Sequence, residues 1–213
     1  MLKETTISYP EVAAINKPIQ KLVVMLHGLG SDGHDLISLV PYVQNSMQYC
    51  HFFSPHGIEE YDMAPFGYQW FSVMDRNESV ITRLVEKNVP LIKNIIAQKQ
   101  QELAVTNSDT ILLGFSQGAM ISVYLTLTSD EPYAAAISFS GKLIKPQQLI
   151  NKLTPICLIH GKEDDVLPYS ETQALEGYLR ENNIKHQTLL VDNLAHSIDG
   201  KGMEFAINFF KNL

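Results

Sequence analysis

The sequence predicts an α/β fold, with a mainly parallel central sheet and helices on both faces. Three observations predict it. Six short apolar runs alternate with longer segments of helical period. The runs are rich in Val, Ile, Leu and Phe with little polar alternation, as strands covered on both faces must be. The 213 residues suffice for one domain with a substantial core, so residues 1–213 are read as a single domain.

The strands are expected at Leu22–Leu26, Tyr49–Ser54, Thr110–Phe115, Ala134–Phe139, Ile156–His160 and His186–Val191. Thr5–Ser8 adds an antiparallel edge strand. Helical period falls between them, at about Gly33–Met47, Glu78–Leu103, Gln117–Thr128, Tyr169–Asn182 and Gly200–Lys211. In the second helix Val80, Ile81, Leu84, Val85, Leu91, Ile92, Ile95 and Ile96 form a stripe expected to be buried, and Pro90 should kink or divide it. Residues Pro55–Asn77 show no clear period. A structureless loop of that length in a compact domain is usually functional.

Composition narrows the function. The formal charge is −7 and no Lys/Arg block occurs, which argues against nucleic acid or an anionic membrane surface as partner. Cys50 and Cys157 stand in separate apolar runs, as buried free thiols of a reducing compartment would. The N-terminal stretch is too polar and proline-interrupted for a signal peptide, and no run reaches the length of a membrane span. A cytoplasmic protein is expected.

Gly114, Ser116 and Gly118 spell G-x-S-x-G between an apolar strand (TILLG) and a helix (AMISVYLTL). In that context the serine of an α/β-hydrolase sits on a strained turn, and its neighbours must be small. The competing reading makes Ser116 an ordinary helix N-cap. A nucleophilic serine needs a base oriented by an acid, following in the order Ser, Asp/Glu, His. Three histidines lie downstream. His160 ends a strand and suits a backbone or loop-packing role, and His186 starts a strand and should face solvent. His196 lies in the loop after the last strand, on the sheet edge where α/β sites collect. The acid should come from Glu163, Asp164 or Asp165, among which spacing does not choose.

Through these motifs the chain resembles the bacterial phospholipase/carboxylesterase family, relatives of the acyl-protein thioesterases within the α/β-hydrolase fold. The likeness runs through LHGLGSDGHD near the start, GYQWFS at Gly67–Ser72, GFSQGA at Gly114–Ala119, HGKEDDVLP at His160–Pro168 and AHSI at Ala195–Ile198. It implies that Asp164 is the acid. It also implies an oxyanion hole made by the backbone N–H groups of Leu29 and Gln117. The chain departs from the pattern at Asp165, where many members carry proline, at Leu167, usually valine, and at Tyr68, where many bacterial relatives carry arginine.

Gly28, Gly30 and Gly33 also spell G-x-G-x-x-G, the spacing of a dinucleotide loop. That use requires a carboxylate near the end of the next strand, and Tyr49–Phe53 supplies none. His27, His34 and Asp35, near Asp32, match no compact zinc spacing. No metal or organic cofactor is expected.

Leu29, Met63, Phe66, Trp70 and Met74 are the apolar candidates for the substrate pocket. The expected function is a serine carboxylesterase acting on short- to medium-chain acyl esters through an acyl-enzyme. The alternatives are an acyl-protein thioesterase or lysophospholipase on long chains, and a non-catalytic binding module. The partner is a small-molecule or lipid-like ester. The apolar residues around Trp70 would serve either the site or a homodimer contact.

Overall fold

The computed structural model describes residues 8–212. Its main sheet has seven strands: β1 (Glu11–Val12), β2 (Lys21–Leu26), β3 (Cys50–Phe53), β6 (Thr110–Phe115), β7 (Ala135–Phe139), β8 (Ile156–Gly161) and β9 (His186–Val191). The order is β1-β3-β2-β6-β7-β8-β9, and only the β1–β3 pair is antiparallel. A two-stranded hairpin, β4 (Glu59–Glu60) with β5 (Tyr68–Gln69), lies apart from it.

Six helices cover the sheet: α1 (Gly33–Ile37), α2 (Val40–Val43), α3 (Glu78–Leu103), α4 (Gln117–Leu127), α5 (Ser170–Glu181) and α6 (Gly200–Lys211). Alternate residues of each strand feed opposite faces. Val23 and Met25 pack with Leu36, Val40, Val43, Ala206 and Phe209, which puts α1, α2 and α6 on one face. Leu22, Val24 and Leu26 pack with Ile81, Val85, Ile92 and Ile121 of α3 and α4 on the other. Leu175 and Leu179 of α5 join that second face against Leu158. Both faces are therefore covered, which is why the strands read as apolar runs.

The expected helix over Gly33–Met47 is broken. Asp32 caps α1, accepting from the His34 and Asp35 N–H groups, and α2 restarts the chain with Pro41 in its first turn. Pro41 lacks an N–H and its ring crowds the carbonyl four residues earlier, which favours a break in the turn before it. By contrast α3 runs unbroken for 26 residues past Pro90. Pro90 sits on the exposed face, where water can satisfy the carbonyl it deprives. The stripe holds except at Leu91, which is 56% exposed. The antiparallel edge strand is Glu11–Val12; of the expected Thr5–Ser8, residues 5–7 lie outside the described residues and Ser8 is not in a strand. Among the described residues no helix is long and apolar enough to cross a membrane.

The parallel strands β2, β6, β7, β8 and β9 end at one edge. The segments that follow them, His27–Asp32, Ser116, Ser140–Lys142, Lys162–Leu167 and Asp192–Ile198, therefore converge there.

Candidate active site

Between the end of β6 and the start of α4 the chain turns through one residue, Ser116, with φ +53° and ψ −116°. A non-glycine residue held there costs about 1–3 kcal/mol and persists only where its surroundings demand it. The Ser116 N–H donates to the Phe139 carbonyl at 2.9 Å, and its own carbonyl accepts from Met120 at 3.1 Å. Gly114 and Gly118 make the turn feasible. A Cβ on Gly114 would run into the Gly118 carbonyl, and one on Gly118 into that of Leu26. The side chain of Ser116 makes no capping bond to α4, so the helix-cap reading does not describe it.

Instead the hydroxyl faces His196, with Ser116 Oγ and His196 Nε2 3.0 Å apart. The other ring nitrogen, Nδ1, lies 2.6 Å from Asp164 Oδ2. A bond of that length to a carboxylate requires Nδ1 to carry a proton. The Phe115 ring packs on the imidazole, with centroids 4.9 Å apart. Of the three candidate acids, Glu163 and Asp165 are exposed and Asp164 is buried. Asp164 Oδ1 accepts from the N–H groups of Val166 and Leu167, at 3.0 and 2.8 Å. Burial pushes the Asp164 carboxyl up, but the Leu167 N–H, the His196 imidazole and the Val166 N–H outweigh it and hold it below the usual carboxylate range.

His160 has a larger part than loop packing. It is buried, and its Nε2 lies 2.8 Å from the Leu167 carbonyl and 3.0 Å from Asp164 Oδ2. Both are acceptors, so Nε2 carries a proton. Nδ1 meets the Thr172 hydroxyl at 2.7 Å. The Asp164 carboxylate thus lies between two imidazoles. His186 is half-buried rather than solvent-facing, with Nδ1 2.8 Å from the Ile184 carbonyl.

The Leu29 loop is held against α4 by Trp70. The Trp70 indole N–H donates to the His27 carbonyl at 2.8 Å, and its backbone N–H donates to Gln117 Oε1 at 2.8 Å. Gln117 Nε2 donates to the Phe71 carbonyl at 2.7 Å, and Asn88 Nδ2 to the Trp70 carbonyl at 3.0 Å. His27 is fixed by backbone on both nitrogens. Nε2 accepts the Gly57 N–H at 2.8 Å, so Nδ1 is the protonated nitrogen that donates to the Gly28 carbonyl at 2.7 Å. Burial holds the His27 imidazole below its ordinary range, which favours this neutral form. Gly30, at φ +78°, turns the loop past the Tyr61 ring.

A cleft of about 200 Å³ opens beside Ser116. Leu29 and Gln117 line it, together with Phe71, Val73, Ile81, Met120, Val166, Leu167, Arg76 and Lys142. The expected wall residues Met63, Phe66, Trp70 and Met74 do not. Trp70 is fully buried as the clamp just described, whereas Met63, Phe66 and Met74 are 66%, 74% and 69% exposed. Neighbouring positions of the same loop, Phe71 and Val73, take their place.

The fold agrees with the comparisons. A family model described as Phospholipase/Carboxylesterase matches residues 7–213. The chain belongs to the phospholipase/carboxylesterase family. It is 28% identical over 202 residues to Esterase YpfH of Escherichia coli (strain K12), covering 94% of this chain and 86% of that protein. It is 28% identical over 172 residues to Acyl-protein thioesterase 1 of Kluyveromyces lactis, covering 74% and 75%. The crystal structure of esterase PE8 superimposes with a TM-score of 0.90 at 32% identity, over 96% of this chain and 98% of that one. The chain is accordingly an enzyme of the serine-hydrolase type, with the α/β-hydrolase fold and an ester-hydrolase lineage.

Sequence reasoning missed five contributors to the site: the Phe115 ring, the His160 imidazole, the Gln117 side chain and the cations Arg76 and Lys142. Phe115 lies inside the serine motif and was open to notice. His160 stands four residues before Asp164 in the HGKEDDVLP stretch, whereas the Gln117 side chain reaches Trp70 and Phe71, distant in sequence, and no local pattern marks those contacts.

Proposed function

We propose that the protein is a carboxylesterase that hydrolyses short- to medium-chain acyl esters through Ser116, His196 and Asp164. The observation that carries the reading is the unbroken chain of contacts from Ser116 Oγ through His196 to Asp164, at 3.0 and 2.6 Å. His196 Nε2, unprotonated because Nδ1 holds the proton, takes the hydroxyl proton as Ser116 Oγ bonds to the ester carbonyl carbon. Asp164 stabilises the imidazolium and keeps the ring in this tautomer. The carbonyl oxygen becomes an oxyanion, and the N–H groups of Leu29 and Gln117 receive it. Loss of one such donor typically costs about 2.7–4 kcal/mol.

As the tetrahedral intermediate collapses, His196 gives its proton to the leaving alcohol. Water then adds to the acyl-enzyme with the same base, and the acid departs from a regenerated Ser116. Support for Leu29 and Gln117 is positional. Both border the cleft with Ser116, and neither N–H has a hydrogen-bond partner among the described residues.

The preference for shorter chains is supported by the cleft, whose 200 Å³ falls below the roughly 300–1,000 Å³ of sites for drug-sized ligands. The relatives named acyl-protein thioesterase 1 favour a second reading, a thioesterase. Residues 1–213 are read as one domain, in keeping with the family match over 7–213. A reducing cytoplasmic setting is supported by Cys50 and Cys157, both buried free thiols pushed up by burial to about 11 and about 12. A homodimer contact would use the apolar residues around Trp70, of which Met63, Phe66 and Met74 are exposed while Trp70 itself is inside the molecule.

Rates over a graded series of p-nitrophenyl esters and one acyl-thioester, for the wild type and Ser116→Ala, test the reading. The expected result is a kcat/KM maximum at short or medium chains that Ser116→Ala abolishes. A steep rise beyond about twelve carbons would overturn the chain-length assignment.

A further inference from the structure

The cleft beside Ser116 has an uneven polarity. Phe71, Val73, Ile81, Met120 and Val166 make it apolar, yet Arg76 and Lys142 also line it and no carboxylate does. The imbalance is not inherited from the whole chain, which carries 16 Lys+Arg against 23 Asp+Glu. Lys21, Lys99 and Lys162 are ion-paired, to Asp109, to Glu11 and Glu102, and to Asp192 respectively, and what sets Arg76 and Lys142 apart from the other cations is their place on the wall of this cleft. Arg76 and Lys142 have no ion pair and no side-chain hydrogen bond among the described residues.

Lys142 is half-buried, directly after Gly141 at the end of β7. No carboxylate lines the cleft, and the exposed Glu163 and Asp165 flank it without lining it. Asp164 faces the two imidazoles, and Asp75, next to Arg76, accepts the Asn77 N–H at 2.9 Å. Two unpartnered cations in an apolar cleft raise the local concentration of anionic ligands, and the partly desolvated one gains most from a counter-charge.

We infer that this site selects acyl esters that carry an anionic group, which Arg76 and Lys142 receive while Ser116 attacks the carbonyl. This deepens the carboxylesterase reading and rests on it. The substrate class is an ester with a carboxylate or similar anionic oxygen group, on either its acyl or its alcohol portion. The apolar walls accommodate the hydrocarbon between that group and the scissile bond.

Two matched ester pairs distinguish the portions. Mono-p-nitrophenyl adipate against p-nitrophenyl hexanoate places the charge on the acyl side. 4-Acetoxybenzoate against its methyl ester places it on the leaving alcohol. For at least one pair the kcat/KM ratio, anionic over neutral, should be about tenfold or more at low ionic strength and should fall as salt is added. The double variant Arg76→Gln/Lys142→Gln should lower that ratio at least severalfold, and Lys142→Glu should lower it further.

A ratio at or below one for both pairs overturns the inference, as does a ratio that neither salt nor the variants change. In those outcomes the neutral esters are still hydrolysed, and the carboxylesterase reading stands. If the wild type turns over none of the four esters, the carboxylesterase reading fails and this inference fails with it.

Discussion

At the scale of single residues, Asp164 is the most constrained group of the site. Its two oxygens receive Val166, Leu167 and His196, with His160 Nε2 3.0 Å away. Asp164→Asn preserves the volume but cannot hold His196 as the Nδ1–H tautomer when its amide nitrogen faces the ring. Its kcat should fall by about 10³–10⁴-fold with little change in KM, and steady-state kinetics on one ester reads this. A loss confined to KM would contradict the role. Gln117 offers a separate test, because its side chain serves structure and its backbone N–H is the proposed oxyanion donor. Gln117→Ala leaves the Trp70 N–H and the Phe71 carbonyl buried without partners. Chemical denaturation should report a loss of about 2–4 kcal/mol, with the peptide N–H still in place. Asp164 was narrowed by the family likeness, not by its surroundings in sequence, because three carboxylates stand side by side. Burial separates them, and burial belongs to the folded chain.

At the scale of elements, the segment Pro55–Asn77 holds the Leu29 loop to α4. It contains the β4–β5 hairpin, and Trp70 bonds to both His27 and Gln117. Trp70→Phe keeps a buried ring but leaves the His27 carbonyl without its donor. The Leu29 loop loosens, and kcat should drop about 10-fold or more while KM changes less, since a donor matters most in the transition state. Equal kcat in the two proteins would refute the clamp. The hairpin escaped sequence reading because strands of two residues carry no usable alternation. The broken helix over Gly33–Met47 is not legible in the apolar period, which continues across Pro41 while the helix does not. The parallel strands were legible because burial on both faces writes them as continuous apolar runs.

For the whole molecule, the paired carboxylates set the response to acid. Glu11 on the edge strand β1 meets Lys99 of α3 at 2.8 Å and His51 of β3 at 2.9 Å. Burial pushes its carboxyl up, but Lys99 and His51 outweigh this and lower it. Asp164 and Asp109 are likewise held low. A carboxyl lower in the folded than in the unfolded chain adds stability above its ordinary range, and that stability is lost as pH falls through the folded value. Thermal unfolding should therefore show a plateau at neutral pH and a decline below about pH 4. Glu11→Gln should shallow that decline while lowering the plateau by no more than about 1 kcal/mol, because the pair is partly exposed. An unchanged acid limb would assign the decline to other groups.

The proposed nucleophile, Ser116, is tested by intact-mass analysis after exposure to a fluorophosphonate, followed by peptide mapping. A single adduct on Ser116, absent from Ser116→Ala and strongly slowed in His196→Ala, is the predicted result. Undiminished labelling of Ser116→Ala, or an adduct mapped to another residue, would contradict it.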